Sequence, residues 1–255
     1  MGEDSGLGSS SFSSPHPCSL SPFDLASCFH CAMEHIKAIT FDVGGTLIRP
    51  WPSVGAVYAG VAAEYGYGRL DIQGIDRQFA AAWKSKGAFS HQRNEWQALV
   101  NQSLDGMVPI QRCHEIFPSI YRRFAEPTAW KLFEDVTPTL HAASRLGLRL
   151  AVISNWDERL RPLLTALNLT SFFETMTISC ESASAKPSPD IFKRALNSLK
   201  LKSEHVLHVG DHPREDFAAA RAAGMHALLI DRTARSSPQS ISSLNELTRC
   251  RPGFH

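Results

Sequence analysis

Short apolar runs that stop at a glycine or a polar residue, alternating with helix-patterned stretches, restrict this chain more than any other feature. The runs are His35–Phe41, Leu148–Ile153, the weaker Thr175–Ile178, His205–Val209 and His226–Ile230. Helical patterns fall at about 138–146, 157–168 and 215–223, with Gly147 and Gly224 as stops. Ser188 and Pro189 open one more helix, as N-cap and first residue. Strands without polar alternation are buried on both faces, and strand–helix alternation builds a parallel sheet. The predicted fold is therefore α/β, a three-layer Rossmann-like parallel sheet.

Residues 51–136 break the alternation. Val57, Val61 and Ala62 share a helical face, as do Phe79, Ala82 and Trp83, then Trp96, Leu99 and Val100, then Ile116, Ile120, Tyr121 and Phe124. No strand pattern interrupts them. A stretch this long is no ordinary loop, and it predicts an inserted helical cap after the first strand. The core is then 33–50 plus 137–235, with a C-terminal helix and tail at 236–255. Residues 1–32 are Ser- and Pro-rich and predict a disordered tail. The tail lacks the basic start and apolar segment of a secretory signal, and has no Arg or Lys for a transit peptide, so a cytoplasmic location is expected. Cys28 and Cys31 read as free thiols rather than half of a zinc site.

Composition removes several classes of function. Lys and Arg number 26 against 25 Asp and Glu, so there is no electrostatic reason to expect a nucleic acid or an anionic membrane as partner. No run approaches the ~20 apolar residues of a membrane span. Six scattered cysteines make no disulfide framework. The partner expected is a small phosphorylated substrate, bound by a monomer or homodimer.

Ligands of an open parallel sheet bind at the carboxyl ends of its strands. Those ends carry Asp42, Gly44 and Thr46, then Ser154 and Asn155, then Lys186, then Asp211 with Asp216 beyond it. Two facing carboxylates repel unless a cation lies between them, and Asp42 with Asp211 suits Mg²⁺, which asks for few protein oxygens. The Gly44 carbonyl offers a third. An Asp42 oxygen off the metal can attack phosphorus, giving an aspartyl intermediate. Ser154 and nearby amides can hold phosphoryl oxygens, and Lys186 supplies a compact positive charge.

The order Phe41-Asp42-Val43-Gly44-Gly45-Thr46-Leu47, Ile153-Ser154-Asn155, Lys186-Pro187 and Val209-Gly210-Asp211 with Asp216 resembles the haloacid dehalogenase superfamily of hydrolases. The helical insertion resembles its subfamily I cap. Segments Leu148–Asp157 and Lys186–Phe192 resemble the domain-containing protein 3 group of that superfamily. The resemblance spans about 35–232. It implies Asp42 as nucleophile and metal ligand, Gly44, Asp211 and Asp216 as the other Mg²⁺ ligands, and Thr46, Ser154, Asn155 and Lys186 as phosphate-binding groups.

One position departs from that pattern. Phosphatases of the superfamily usually carry a second Asp two residues after the nucleophile, as general acid and base; here Gly44 stands there. Such help is worth ~10²–10⁴ in rate. Glu95, His91, His212 and Glu215 are candidate replacements. Otherwise the leaving group needs no acid, or the site binds phosphate and metal without turnover. A C–P bond hydrolase is a further alternative. Trp83, Trp96 and Trp130 read as cap core rather than a substrate cage, Arg122-Arg123 as a wetted helix face, and Cys113 and Cys180 as idle thiols.

Overall fold

A computed structural model describes residues 35–87, 89–234, 236–237 and 239–249. The Ser/Pro-rich stretch and its Cys28–Cys31 pair lie outside the described residues. Six parallel strands form the main sheet: β1 (Ala38–Phe41), β4 (Arg149–Ser154), β5 (Thr175–Ile178), β6 (Val206–Gly210), β7 (His226–Ile230) and β8 (Ser240–Ile241), in the order β5-β4-β1-β6-β7-β8. The chain builds outward from β1 through β4 to β5, then returns to the other side of β1 at β6. The order reverses at β1, so the loops after β1, β4 and β6 open a crevice there.

Alternation along the strands sorts two apolar layers. Ile39, Phe41, Leu150, Val152, Leu207 and Val209 face one side, against Val136 and Leu140 of the helix Val136–Arg145 and Leu160 and Leu163 of the helix Leu160–Ala166. Ala38, Ala151, Ile153 and Val206 face the other, against Ile191, Phe192 and Ala195 of the helix Pro189–Leu199. Ser188 caps that helix through its hydroxyl, as its sequence predicts.

Four helices, α1 (Val54–Glu64), α2 (Ile72–Ser85), α3 (Arg93–Ser103) and α4 (Ile110–Arg123), have an apolar core of their own around Val61, Ile75, Leu104, Ile116 and Ile120. They leave and rejoin the sheet through an antiparallel pair of short strands, β2 (Ile48–Pro50) and β3 (Trp130–Leu132). This corrects the reading of 51–136 as helical throughout: three residues are too few to display a period of two. The stretch read as a helix over 215–223 is a wide π-type turn, Pro213–Ala218, followed by a short helix, Ala219–Ala222. No helix among the described residues is long and apolar enough to cross a membrane.

Candidate functional site

Asp42 follows β1 directly, and Asp211 follows β6. Ser154 ends β4, while Lys186 comes from the loop beyond β5. Ser154 Oγ donates to Asp42 Oδ1 at 2.9 Å and Lys186 Nζ donates to the same oxygen at 2.7 Å. Nζ also donates to Asp216 Oδ1 at 2.5 Å. Asp42, Ser154, Lys186 and Asp216 are all buried, at 7%, 1%, 5% and 1% exposure. Asp42 Oδ2 accepts no hydrogen bond among the described residues.

Burial sets the electrostatics of this cluster. It drives the Asp42 carboxyl upward more strongly than Lys186 pulls it down. Burial also opposes charge on Lys186 and Asp216, but here the mutual attraction wins. The two carboxylates hold the ammonium protonated, and Lys186 with His208 keeps Asp216 well below the usual range. Asp211 is the exposed member of the cluster, yet partial desolvation, then the charges of Asp42 and Asp216, push it up to about 7.

Behind Asp216 lies a group that the sequence reading missed. His208 is completely buried in β6; its Nε2 stands 3.1 Å from Asp216 Oδ1 and its Nδ1 2.9 Å from Thr40 Oγ1. The carboxylate can only accept, so Nε2 carries a proton and donates to Asp216. Asp216 Oδ2 accepts from the His212 amide at 2.9 Å. A polar pair at matching register in two apolar strands was the available signal, since Thr40 and His208 are direct neighbours across β1 and β6.

No metal is present, but the donors fit one. Asp42, Asp211 and Asp216 each offer an oxygen, all within 4.8 Å of one another. Their surroundings leave no room for added carbon. A Cβ at Gly45, whose φ is +79°, would stand 2.2 Å from Asp211 Oδ2, and one at Gly210 would stand 2.2 Å from Asp216 Cγ. A cluster of hard oxygens carrying excess negative charge is the donor set that Mg²⁺ takes.

The other predicted residues divide. Gly44 lines the pocket beside the acids. Asn155 lines it too, but spends its amide on the Lys186 loop, accepting from Lys186 N at 2.7 Å and donating to Lys186 O at 2.8 Å. Thr46 is corrected: its side chain is fully buried, its Oγ1 has no partner and it is not on the pocket wall. Glu95 is corrected as a substitute acid, because it caps α3 by accepting from Ser90 and Gln92 and lies off the wall. His91 lines the pocket, but burial pushes its imidazole down to about 4, so it is neutral. His212 accepts two amide hydrogens at Nδ1. Glu215 lines the wall and accepts from Asn155.

The acids sit at one end of a cavity of about 320 Å³ between the sheet and the helices. Its other wall is aromatic, which corrects in part the assignment of Trp83, Trp96 and Trp130 to the helical core: Trp96 does pack against that core and Trp130 against the core of the sheet, but all three are half-buried and line the cavity. Ring follows ring from Trp96 to Trp83 (5.8 Å, stacked), Phe79 (5.9 Å, stacked), Tyr58 (6.3 Å), Phe124 (5.9 Å), Trp130 (5.6 Å) and Trp156 (5.2 Å). The period of 3.6 placed these rings on inward helix faces, but it does not tell a filled interior from a hollow one. Arg122 is exposed, and Arg123 pairs with Glu64 at 2.7 Å, as a wetted face would.

The sequence profile of the haloacid dehalogenase-like hydrolases matches residues 36–224. The chain is 32% identical over 206 residues to haloacid dehalogenase-like hydrolase domain-containing protein 3 of Homo sapiens, covering 76% of this chain and 82% of the relative. A phosphoserine phosphatase of Thermus thermophilus is 32% identical over 126 residues, 49% of each chain. Among solved structures, a HAD phosphatase from Thermococcus onnurineus superposes with a TM-score of 0.61 at 20% identity, over 84% of this chain and 97% of that one.

Proposed function

This chain belongs to the haloacid dehalogenase-like hydrolase family, and on that premise we propose that it hydrolyses a small phosphorylated metabolite with Mg²⁺, through an aspartyl-phosphate on Asp42. The observation that carries the reading is the state of the Asp42 carboxylate. One oxygen is fixed by Ser154 and Lys186 while the other is unbonded and faces the cavity's acid end. A relative named as a phosphoserine phosphatase supports the reaction class.

Asp42 Oδ2 forms a bond to phosphorus as the bond to the leaving oxygen breaks, and the electron pair departs with that oxygen. Water then attacks the phosphorus, the P–O bond to Asp42 breaks with its electron pair returning to the carboxylate, and the water's proton passes to solvent. Ser154 and Lys186 hold the attacking carboxylate in one orientation, and Lys186 places a fixed charge beside the phosphoryl oxygens. Asp216 and His208 hold Lys186 in turn. Asp42, Asp211, Asp216 and the Gly44 carbonyl would hold Mg²⁺, which would supply charge neutralisation for the transferring group. The four-helix unit acts as a cap that keeps bulk water from the site.

The direct test is phosphate release from phosphate esters and acyl phosphates with Mg²⁺, and its loss on chelation. A second reading, a metal- and phosphate-binding protein without turnover, is favoured by the missing carboxyl at Gly44. It predicts tight vanadate binding with no phosphate released from any substrate.

Metal binding also has a predicted pH dependence. A proton and Mg²⁺ compete for Asp211, whose carboxyl is pushed up to about 7. Below that pH the acid is protonated and must lose its proton to bind, so Mg²⁺ affinity falls about tenfold per pH unit; above it affinity levels off. Calorimetric Mg²⁺ titrations at about pH 6 and about pH 8 should differ by roughly tenfold. Equal affinities would remove Asp211 from the ligand set.

A further inference from the structure

The aromatic wall and the Gly44 loop together specify a substrate class. Resting on the hydrolase reading above, we propose that the substrate is an aryl phosphate: an uncharged aromatic group joined to the phosphate through a phenolic oxygen.

The wall supplies recognition. From Trp96 to Trp130 six rings run in contact along the cavity, leading directly to the acid cluster. Planar faces of this kind hold another aromatic ring by stacking and by excluding water. Among the described lining residues at this end, Arg159 is the one cation, and each of its three guanidinium nitrogens already donates a hydrogen bond. It donates to Asp157 Oδ1 at 2.8 Å, to Asp157 Oδ2 at 2.6 Å and to the Tyr121 carbonyl at 2.9 Å. His91 is neutral. The Arg159 charge is already paired with Asp157, which weakens its attraction for a second phosphate or a carboxylate on the substrate. The cavity of about 320 Å³ exceeds the ~150 Å³ that accommodates benzene, leaving room for a ring and a phosphoryl group.

The Gly44 loop supplies an independent chemical argument. Gly44 offers no acid, and a Cβ there would stand 3.1 Å from Trp156 Cζ3, a tight contact against the ring. An alcohol is a poor leaving group without a proton donor. A phenol, with a pKa of about 10, leaves as phenolate. The P–O bond breaks, the pair stays on the phenolic oxygen, and water protonates it afterwards. A wall that selects aromatic groups and a site that lacks an acid converge on the same ester.

Three substrates separate the parts: naphthyl phosphate (ring and phenolic leaving group), naphthylmethyl phosphate (ring, alcohol leaving group) and acetyl phosphate (no ring, good leaving group), each with Mg²⁺. The expected pattern is a KM for both naphthyl compounds about tenfold below that of acetyl phosphate, with kcat for naphthylmethyl phosphate at least ~100-fold below that for naphthyl phosphate. Trp83→Ala should raise the ratio of the naphthyl to the acetyl KM about tenfold. Should that variant not fold, quenching of tryptophan fluorescence in the unaltered protein by benzylphosphonate, against methylphosphonate, asks the same question. Acetyl phosphate turned over with the lowest KM overturns the aryl proposal and leaves the hydrolase reading intact. Equal kcat for the two naphthyl esters overturns the leaving-group argument. No turnover of any of the three overturns the hydrolase reading itself, and the aryl proposal with it.

Discussion

Replacing Asp42 by Asn should abolish phosphate release, by at least ~10⁴-fold, in a protein that still folds. The two side chains have the same shape, and the amide oxygen can still accept from Ser154 Oγ and Lys186 Nζ, which now stand 2.9 and 2.7 Å from Oδ1. What disappears is the attacking atom, because an amide nitrogen or oxygen does not displace an alkoxide or phenolate from phosphorus. Stability should change little or rise. Burial already works against the Asp42 charge, and Asp216 remains as a carboxylate partner for Lys186. The check is phosphate release measured alongside a melting curve. An Asn variant that keeps more than about one-hundredth of the activity assigns the attack to another group.

Much of this site could be read before any coordinates, for a physical reason. A parallel sheet brings the residues after each strand to one edge, so the polar residue ending each apolar run is a candidate regardless of intervening length. That logic found Asp42, Ser154, Lys186, Asp211 and Asp216, of which Asp42, Ser154, Lys186 and Asp216 form one hydrogen-bonded cluster, with Asp211 beside them. It misplaced Thr46, because in a tight turn such as Gly44-Gly45-Thr46 one residue decides whether a side chain faces the crevice or the interior. It missed His208, since one polar residue within an apolar run reads as noise until the facing strand is known. The cavity was illegible for a different reason. Amphipathic periodicity marks which faces of α1–α4 turn inward, but whether Trp83 and Trp96 meet other side chains or open space depends on how far the helices stand from the sheet. β2, β3 and β8, of two or three residues each, carry too little pattern to be recognised at all.

Lys186→Met should produce the largest loss of stability of any single change at this site. The Lys186 ammonium is the one described cation contacting both Asp42 and Asp216, and all three side chains are at most a tenth exposed. Removing it leaves two buried carboxylates facing each other with their shared donor gone, a change that costs ~3–5 kcal/mol. For a chain of this size that is a fall of roughly 10 °C in melting temperature. Its pH dependence has a definite sign. In the native protein Asp216 is held well below its ordinary value, so its pairing contributes stability above the unfolded pKa and loses it as pH falls. In the variant the same carboxylate titrates upward, and a proton taken up at lower pH replaces part of the lost positive charge. The gap between native and variant melting temperatures should therefore be widest near neutral pH and narrow towards about pH 5. Arginine does not substitute, because its planar fork is larger than the ammonium and cannot reach both Oδ1 atoms from the same volume. Equal melting temperatures for the native protein and Lys186→Met at neutral pH, measured without added metal, would mean that the two acids do not share a buried cation, and the geometry that supports the phosphoryl site would have to be abandoned.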